Sequence, residues 1–341
     1  MTNSKLRCAL GAAFALATLG SAAMAQEVNI YSSRHYDSDD KLYAKFTEET
    51  GITVNRIEGE ADELIARLEA EGDNSPADVF ITVDIGRMGR AEEAGLLQPV
   101  ESEVIENAVP AHLRDPENMW FGVSQRARII FYSKDRVENP PRTYEALADE
   151  AMKGKICIRS SKNIYNQSLL ASIIEADGED AARDWAEGIV ANMARNPEGG
   201  DTDQLRGLVS GECDVAVANH YYFLRGFDQE VDGLTEGLDG IGWVWPNQSD
   251  RGAHLNLAAA AMVKSAPNPD AAKTFLEFLT SEFAQQHFAS QNNEYPAVPG
   301  IGLDEDTARL GFFIADNDTM TASFGDNAAK AQKIFNEVGW Q

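Results

Sequence analysis

The sequence predicts an α/β protein of two lobes, each a mixed, mostly parallel sheet flanked by helices. Two observations carry this. Strand, loop and helix patterns alternate along the chain, and residues 26–341 exceed what one hydrophobic core usually serves.

The elements follow in order. Lys5 and Arg7 precede an apolar run over residues 8–19 and the small-residue site Ala23-Met24-Ala25, the pattern of a secretory signal cleaved before Gln26. That run falls far short of the roughly 20 residues that cross a bilayer, and Cys8 lies too early to carry a lipid at the cleavage site. Residues 1–25 therefore read as a signal peptide, and the mature chain as soluble, with no direct membrane insertion. A first strand spans 27–31, and Leu42, Phe46 and the stop at Gly51 mark a helix. Residues 52–57 alternate as a strand, and Leu64, Ile65 and Leu68 sit at helical spacing before Gly72. A buried strand over 77–83 leads to a helix opened by Asp84 and stopped at Gly95. Residues 121–133 read as extended, 144–152 as a helix, 155–159 as a strand, 167–175 as a helix and 213–219 as a strand. An apolar strand returns at 254–264, and Pro269 starts a single long amphipathic helix to about Ser290.

The formal net charge is −26, and loss of Lys5 and Arg7 on export makes it two units more negative. Such a chain repels nucleic acid and anionic lipid and favours solubility or cationic ligands. Export leaves Cys157 and Cys213, whose simplest reading in an oxidising compartment is a disulfide, with two free buried thiols as the alternative.

Ligands in open α/β sheets bind at the carboxyl ends of strands, so the loops there come first. The first strand runs into Ser32-Ser33-Arg34-His35-Tyr36, the 155–159 strand into a loop with Tyr165, and the 213–219 strand into His220-Tyr221-Tyr222. Tyr165 follows Cys157, and Tyr221 follows Cys213, by the same spacing, so a disulfide would set the two loops side by side. Tyr36, Tyr165, Tyr221 and Tyr222 can then face one cleft. A phenol titrates near pH 10 and becomes an anion at neutral pH only when a strong cation displaces its proton. Phenolate is a hard anionic donor suited to Fe(III). The scattered histidines, His35, His112, His220, His254 and His287, lack zinc spacing. Taken singly, each tyrosine also fits a half-buried packing role. His35 is either a ligand or a neighbour. Four phenolates on a trivalent ion leave excess negative charge, for which Arg126 and Arg225 are the candidate guanidiniums; each also fits an ordinary surface ion pair.

At these residues the chain resembles the bacterial ferric-binding proteins of ABC-type iron uptake, in particular the Fut-type branch. The matching stretches are Tyr31-Ser32-Ser33-Arg34-His35-Tyr36, Ala77-Asp78-Val79-Phe80, Tyr165-Asn166-Gln167-Ser168, Gly211-Glu212-Cys213 with Asn219-His220-Tyr221-Tyr222, and Asn293-Glu294-Tyr295-Pro296. The resemblance implies a periplasmic-binding-protein fold with a hinged cleft. It also implies Tyr36, Tyr165, Tyr221 and Tyr222 as ligands of transported Fe(III), with His35 an occasional fifth, and a Cys157–Cys213 disulfide. The expected lobes are 27–123 plus 251–300, and 124–250 plus 301–341. The implied setting is the periplasm, with an inner-membrane permease and its ATPase as partners of a monomeric protein. One rival is the same fold binding a polyamine, a thiamine-like cation or an organic anion, held by a carboxylate or Arg clamp. The other is a secreted metalloenzyme, but no nucleophile elbow, His-Glu-x-x-His helix or phosphate loop is present, so no enzyme is expected.

Overall fold

The computed structural model describes residues 26–34, 36–319 and 326–341. The expected signal peptide and His35 lie outside the described residues. The first half-chain forms β1 (Glu27–Ser32), α1 (Asp39–Thr50), β2 (Thr53–Glu58), α2 (Ala61–Glu71), β3 (Val79–Thr82), α3 (Ile85–Glu93), β4 (Leu97–Gln98) and α4 (Glu103–Ala108). The long strand β5 (Phe121–Ser133) then crosses the molecule. Beyond it come β6 (Ile156–Cys157), α5 (Ile164–Asp177), α6 (Glu179–Asn192), α7 (Asp201–Ser210), β7 (Val215–Asn219), α8 (His220–Asp228) and β8 (Ile241–Val244). A second long strand, β9 (Ala253–Val263), crosses back. It is followed by α9 (Pro269–Phe278), α10 (Glu282–Asn292), β10 (Tyr295–Pro296), α11 (Glu305–Arg309), β11 (Ala315–Asp316) and α12 (Asp326–Val338).

The sheet is mixed and runs β2-β1-β3-β9-β5-β7-β6, with the other strands attached to β5 and β9. β1 pairs in parallel with β2 and β3, and β6 with β7. Among the described residues every antiparallel pairing uses β5 or β9. These two strands are buried almost throughout, and the second half of β9 accordingly reads as an apolar run, whereas β5 buries polar residues as well, among them Arg126 and Arg128.

One apolar core draws on residues between Val28 and Val123 and again between Leu257 and Ala297. Two others cover opposite faces of the second half-sheet, one around Trp185 and Phe335, the other around Phe131 and Phe223. The change-over falls inside the crossing strands, between Val123 and Ala127 in β5 and between Leu255 and Leu257 in β9.

Several local expectations change. The helix expected over 144–152 is two short 3-10 turns, Glu145–Ala148 and Glu150–Met152, because Asp149 between them is extended. The single helix expected from Pro269 breaks after Phe278, where the Ser281 hydroxyl accepts from the Ala284 amide and starts α10 afresh. The strand over 155–159 shortens to Ile156–Cys157. Gly51 closes α1 as expected, at φ 74°, a left-handed conformation that costs glycine little.

Cys157 and Cys213 form the disulfide, with Cα atoms 5.8 Å apart. It fastens β6 beside the start of β7. Gly207 lies directly over it: a Cβ there would sit 2.8 Å from the Cys213 sulfur and 2.9 Å from that of Cys157.

Candidate functional site

Tyr165, Tyr221 and Tyr222 are on helices, not on the loops expected. Tyr165 is the second residue of α5, and Tyr221 and Tyr222 are the second and third of α8. Each helix starts where a strand or its short extension ends. Helical side chains lean toward the N-terminus, so these phenols project off helix ends that carry unpaired amides and a partial positive charge. A helix start favours a phenolate more than an irregular loop would.

Tyr36 comes from the other core, on the turn between β1 and α1, where its carbonyl accepts from the Asp39 amide at 2.9 Å. Its ring is covered by the Arg34 guanidinium, 4.9 Å from the centroid. Arg34 is anchored by Asp39 (2.8 Å) and Glu294 (3.3 Å).

The phenols converge. The Tyr221 hydroxyl donates to that of Tyr165 at 3.3 Å, and the Tyr221 and Tyr222 rings lie 4.4 Å apart. Arg126 Nη2 donates to the Tyr36 hydroxyl at 3.4 Å, while the same guanidinium lies 5.4 Å from the centre of the Tyr221 ring. Arg126 therefore spans from the Tyr36 turn to the α8 tyrosines. Arg225 also lies against the pair, 5.8 Å from the ring of Tyr221 and 5.2 Å from that of Tyr222.

Burial pushes all four phenols above their ordinary range, Tyr165 to about 12 and Tyr221 well beyond 10. Repulsion among them adds to this: Tyr165 opposes ionisation of Tyr36, Tyr222 opposes that of Tyr165, and Tyr221 is opposed by the other three. Arg126 works the opposite way on Tyr36, Tyr165 and Tyr221. At neutral pH the cluster holds its protons and yields them only to a strong cation.

His220 is not available as a ligand. Nδ1 accepts from the Ala127 amide at 3.1 Å, Nε2 donates to the Asn293 carbonyl at 2.8 Å, and burial lowers its pKa to about 4. Among the described residues, no cluster of three or more His, Cys, Asp or Glu is placed to hold a metal ion.

Two buried ion networks support the tyrosines; sequence reasoning named Arg126 in one of them but missed the carboxylates that anchor both. Beneath the C-terminal trio, Asp201 at the start of α7 accepts from the Asn219 amide at 3.0 Å and from Arg128 at 3.3 Å. Arg128 also donates to Asn166 at 2.7 Å, next to Tyr165. Beside Tyr36, Glu294 pairs with both Arg126 and Arg34.

The cleft next to Tyr165 and Tyr222 encloses about 440 Å³, lined by Ser33 and Val83 on one side and Arg159, Ser160 and Asn163 on the other. Away from the cleft lining, the buried Ser168 on α5 donates to Asp84 at the start of α3 at 3.0 Å, joining the two halves.

Two α/β halves joined by crossing strands, with a polar cleft where helix N-termini meet, define a solute-binding protein. The chain belongs to the family described as bacterial extracellular solute-binding protein, which matches residues 41–313. It is 50% identical over 317 residues to iron uptake protein A1 of Synechocystis sp., covering 93% of this chain and 88% of that one. A Trichodesmium protein, IdiA or FutA, solved in complex with iron and citrate, superposes with a TM-score of 0.88 at 48% identity, over 92% of this chain and all of that one. A ferric binding protein from Campylobacter jejuni gives 0.86 at 42% identity, over 92% and 100%. The chain is thus a binding protein and not an enzyme.

Proposed function

We propose that this solute-binding protein takes ferric iron as its cargo, held by the phenolates of Tyr36, Tyr165, Tyr221 and Tyr222. Arg126 and Arg225 offset the charge of the tetraphenolate. The observation that carries the reading is the convergence of the hydroxyls, with Tyr221 3.3 Å from Tyr165 and Arg126 reaching the hydroxyl of Tyr36. It accords with the iron named for the Synechocystis, Trichodesmium and Campylobacter relatives.

The lobes we propose are 27–123 plus 251–300, and 124–250 plus 301–341, a division supported by the apolar core that draws on residues 28–123 and 257–297. Closure of these lobes on iron shifts an open and closed equilibrium by the contacts each lobe adds. Residues 1–25 direct export to the periplasm, where the monomer passes iron to a permease and its ATPase. A relative in Sinorhizobium fredii is described as a probable ABC transporter periplasmic-binding protein. Among the described residues no helix is long and apolar enough to cross a membrane.

The test is titration with a ferric salt. Phenolate coordination gives a coloured charge-transfer band, which Tyr221→Phe with Tyr222→Phe abolishes. A colourless protein that binds no iron removes the assignment.

A further inference from the structure

We infer that Glu294 is a positioning residue for the metal site, fixing the Arg126 guanidinium between Tyr36 and Tyr221. The inference rests on the iron reading above.

Arg126 is fully buried, so its charge needs fixed partners. Nη1 donates to the Val83 carbonyl at 2.8 Å, and Nη2 is shared between Glu294 (2.6 Å) and the Tyr36 hydroxyl (3.4 Å). Glu294 is the only carboxylate bonded to Arg126 among the described residues. Its other oxygen accepts from Arg34 at 3.3 Å and from the Ser124 hydroxyl. One carboxylate thus holds the guanidinium that touches the Tyr36 hydroxyl and the one that lies on the Tyr36 ring.

The preceding residue extends the grip to the other half of the site. Asn293, in a left-handed conformation at φ 56°, ends α10. Its carbonyl accepts from His220 at the start of α8, and its amide donates to Asp228 at the end of that helix at 2.7 Å. α8 carries Tyr221 and Tyr222. The dipeptide Asn293-Glu294 therefore registers the C-terminal tyrosine helix against Arg126 and the Tyr36 turn. Arg34, Asp39, Arg126 and Glu294 carry formal charges that cancel, so the network is balanced before any metal arrives. Arg126 therefore meets the single negative charge that four phenolates and one trivalent ion leave as one member of a neutral group, acting through the Nη2 donor that Glu294 holds beside the Tyr36 hydroxyl.

The experiment is a double-mutant cycle on full-length mature protein loaded with ferric ion. It compares wild type, Glu294→Gln, Arg126→Gln and the double variant, with Glu294→Asp as the charge-preserving control. The readouts are the maximum of the charge-transfer band and the rate of iron loss to a chelator. Glu294→Gln is expected to shift the band and speed release about tenfold, and Glu294→Asp, which keeps the charge one methylene further back, to do both by a smaller factor. In the Arg126→Gln background, Glu294→Gln is expected to add nothing. Equal effects of Glu294→Gln with and without Arg126 overturn the inference, as does a folded Glu294→Gln protein with wild-type band and release. If Glu294→Gln does not fold, Glu294→Asp measured with and without Arg126→Gln decides by the same criterion, since it withdraws the carboxylate by one methylene. A wild-type protein without any band refutes the iron reading itself, a separate outcome.

Discussion

Replacing Tyr221 with Phe deletes one oxygen from a fully buried ring and leaves the ring in place. The hydroxyl makes two long hydrogen bonds, 3.3 Å to Tyr165 and 3.5 Å from Asn219. Each contributes about 1 kcal/mol or less, so the empty protein should keep its fold and most of its melting temperature. The effect on iron is different in kind. With every phenol raised above its ordinary value, the site is fully protonated from pH 6 to 8, and binding must expel one proton per phenolate formed. The sign follows: affinity rises with pH and collapses on acidification. Four phenolates give a slope of four decades of apparent affinity per pH unit, or about 5.5 kcal/mol, and Tyr221→Phe lowers it to three decades, about 4 kcal/mol. Competition with a chelator of known protonation behaviour, at closely spaced pH values, reads the slope directly. A slope near one in the wild type, or one unchanged in Tyr221→Phe, refutes the reasoning.

Three further outcomes are expected. Gly207→Ala forces a methyl into the Cys157–Cys213 bridge and should destabilise the protein by about 1–3 kcal/mol, seen as a lower melting temperature under oxidising conditions and a smaller loss once the disulfide is reduced. Burial lowers His220 to about 4 and His254 to about 3, so both stay neutral in the fold while the unfolded chain takes up protons below about pH 6.5. Stability is thus present above pH 6.5 and falls by several kcal/mol toward pH 4; urea unfolding across that range measures it, and a His254→Phe variant should show a shallower decline. Ser168→Ala removes the hydroxyl that joins the two halves at Asp84, at about 1 kcal/mol, and should enlarge the radius of gyration of the iron-free protein in small-angle scattering by favouring open lobes.

The sequence pattern was most informative where one local rule decides the outcome. An apolar run located β9, Gly51 and Gly72 marked helix ends, and an even pair of cysteines in an exported chain anticipated the disulfide. It was least informative where geometry depends on distant partners. Tyr221 and Tyr222 looked like loop residues because nothing local distinguishes a strand running straight into a helix from one that runs into a turn. Likewise 294 is joined to 126 across 168 residues by a contact that no window along the chain contains. The break between α9 and α10 turns on a single serine, whose hydroxyl competes with helix continuation only because the chain bends there.

The division of the N-terminal core carries a consequence for biogenesis. Strand β3 takes as its neighbour β9, which is synthesised far later, after the entire intervening half of the protein. A nascent chain stopped short of Leu257 has nothing with which to seal the apolar side chains between Val28 and Val123. Such long-range closure is slow, so the N-terminal core is completed only once the segment between Leu257 and Ala297 has been synthesised.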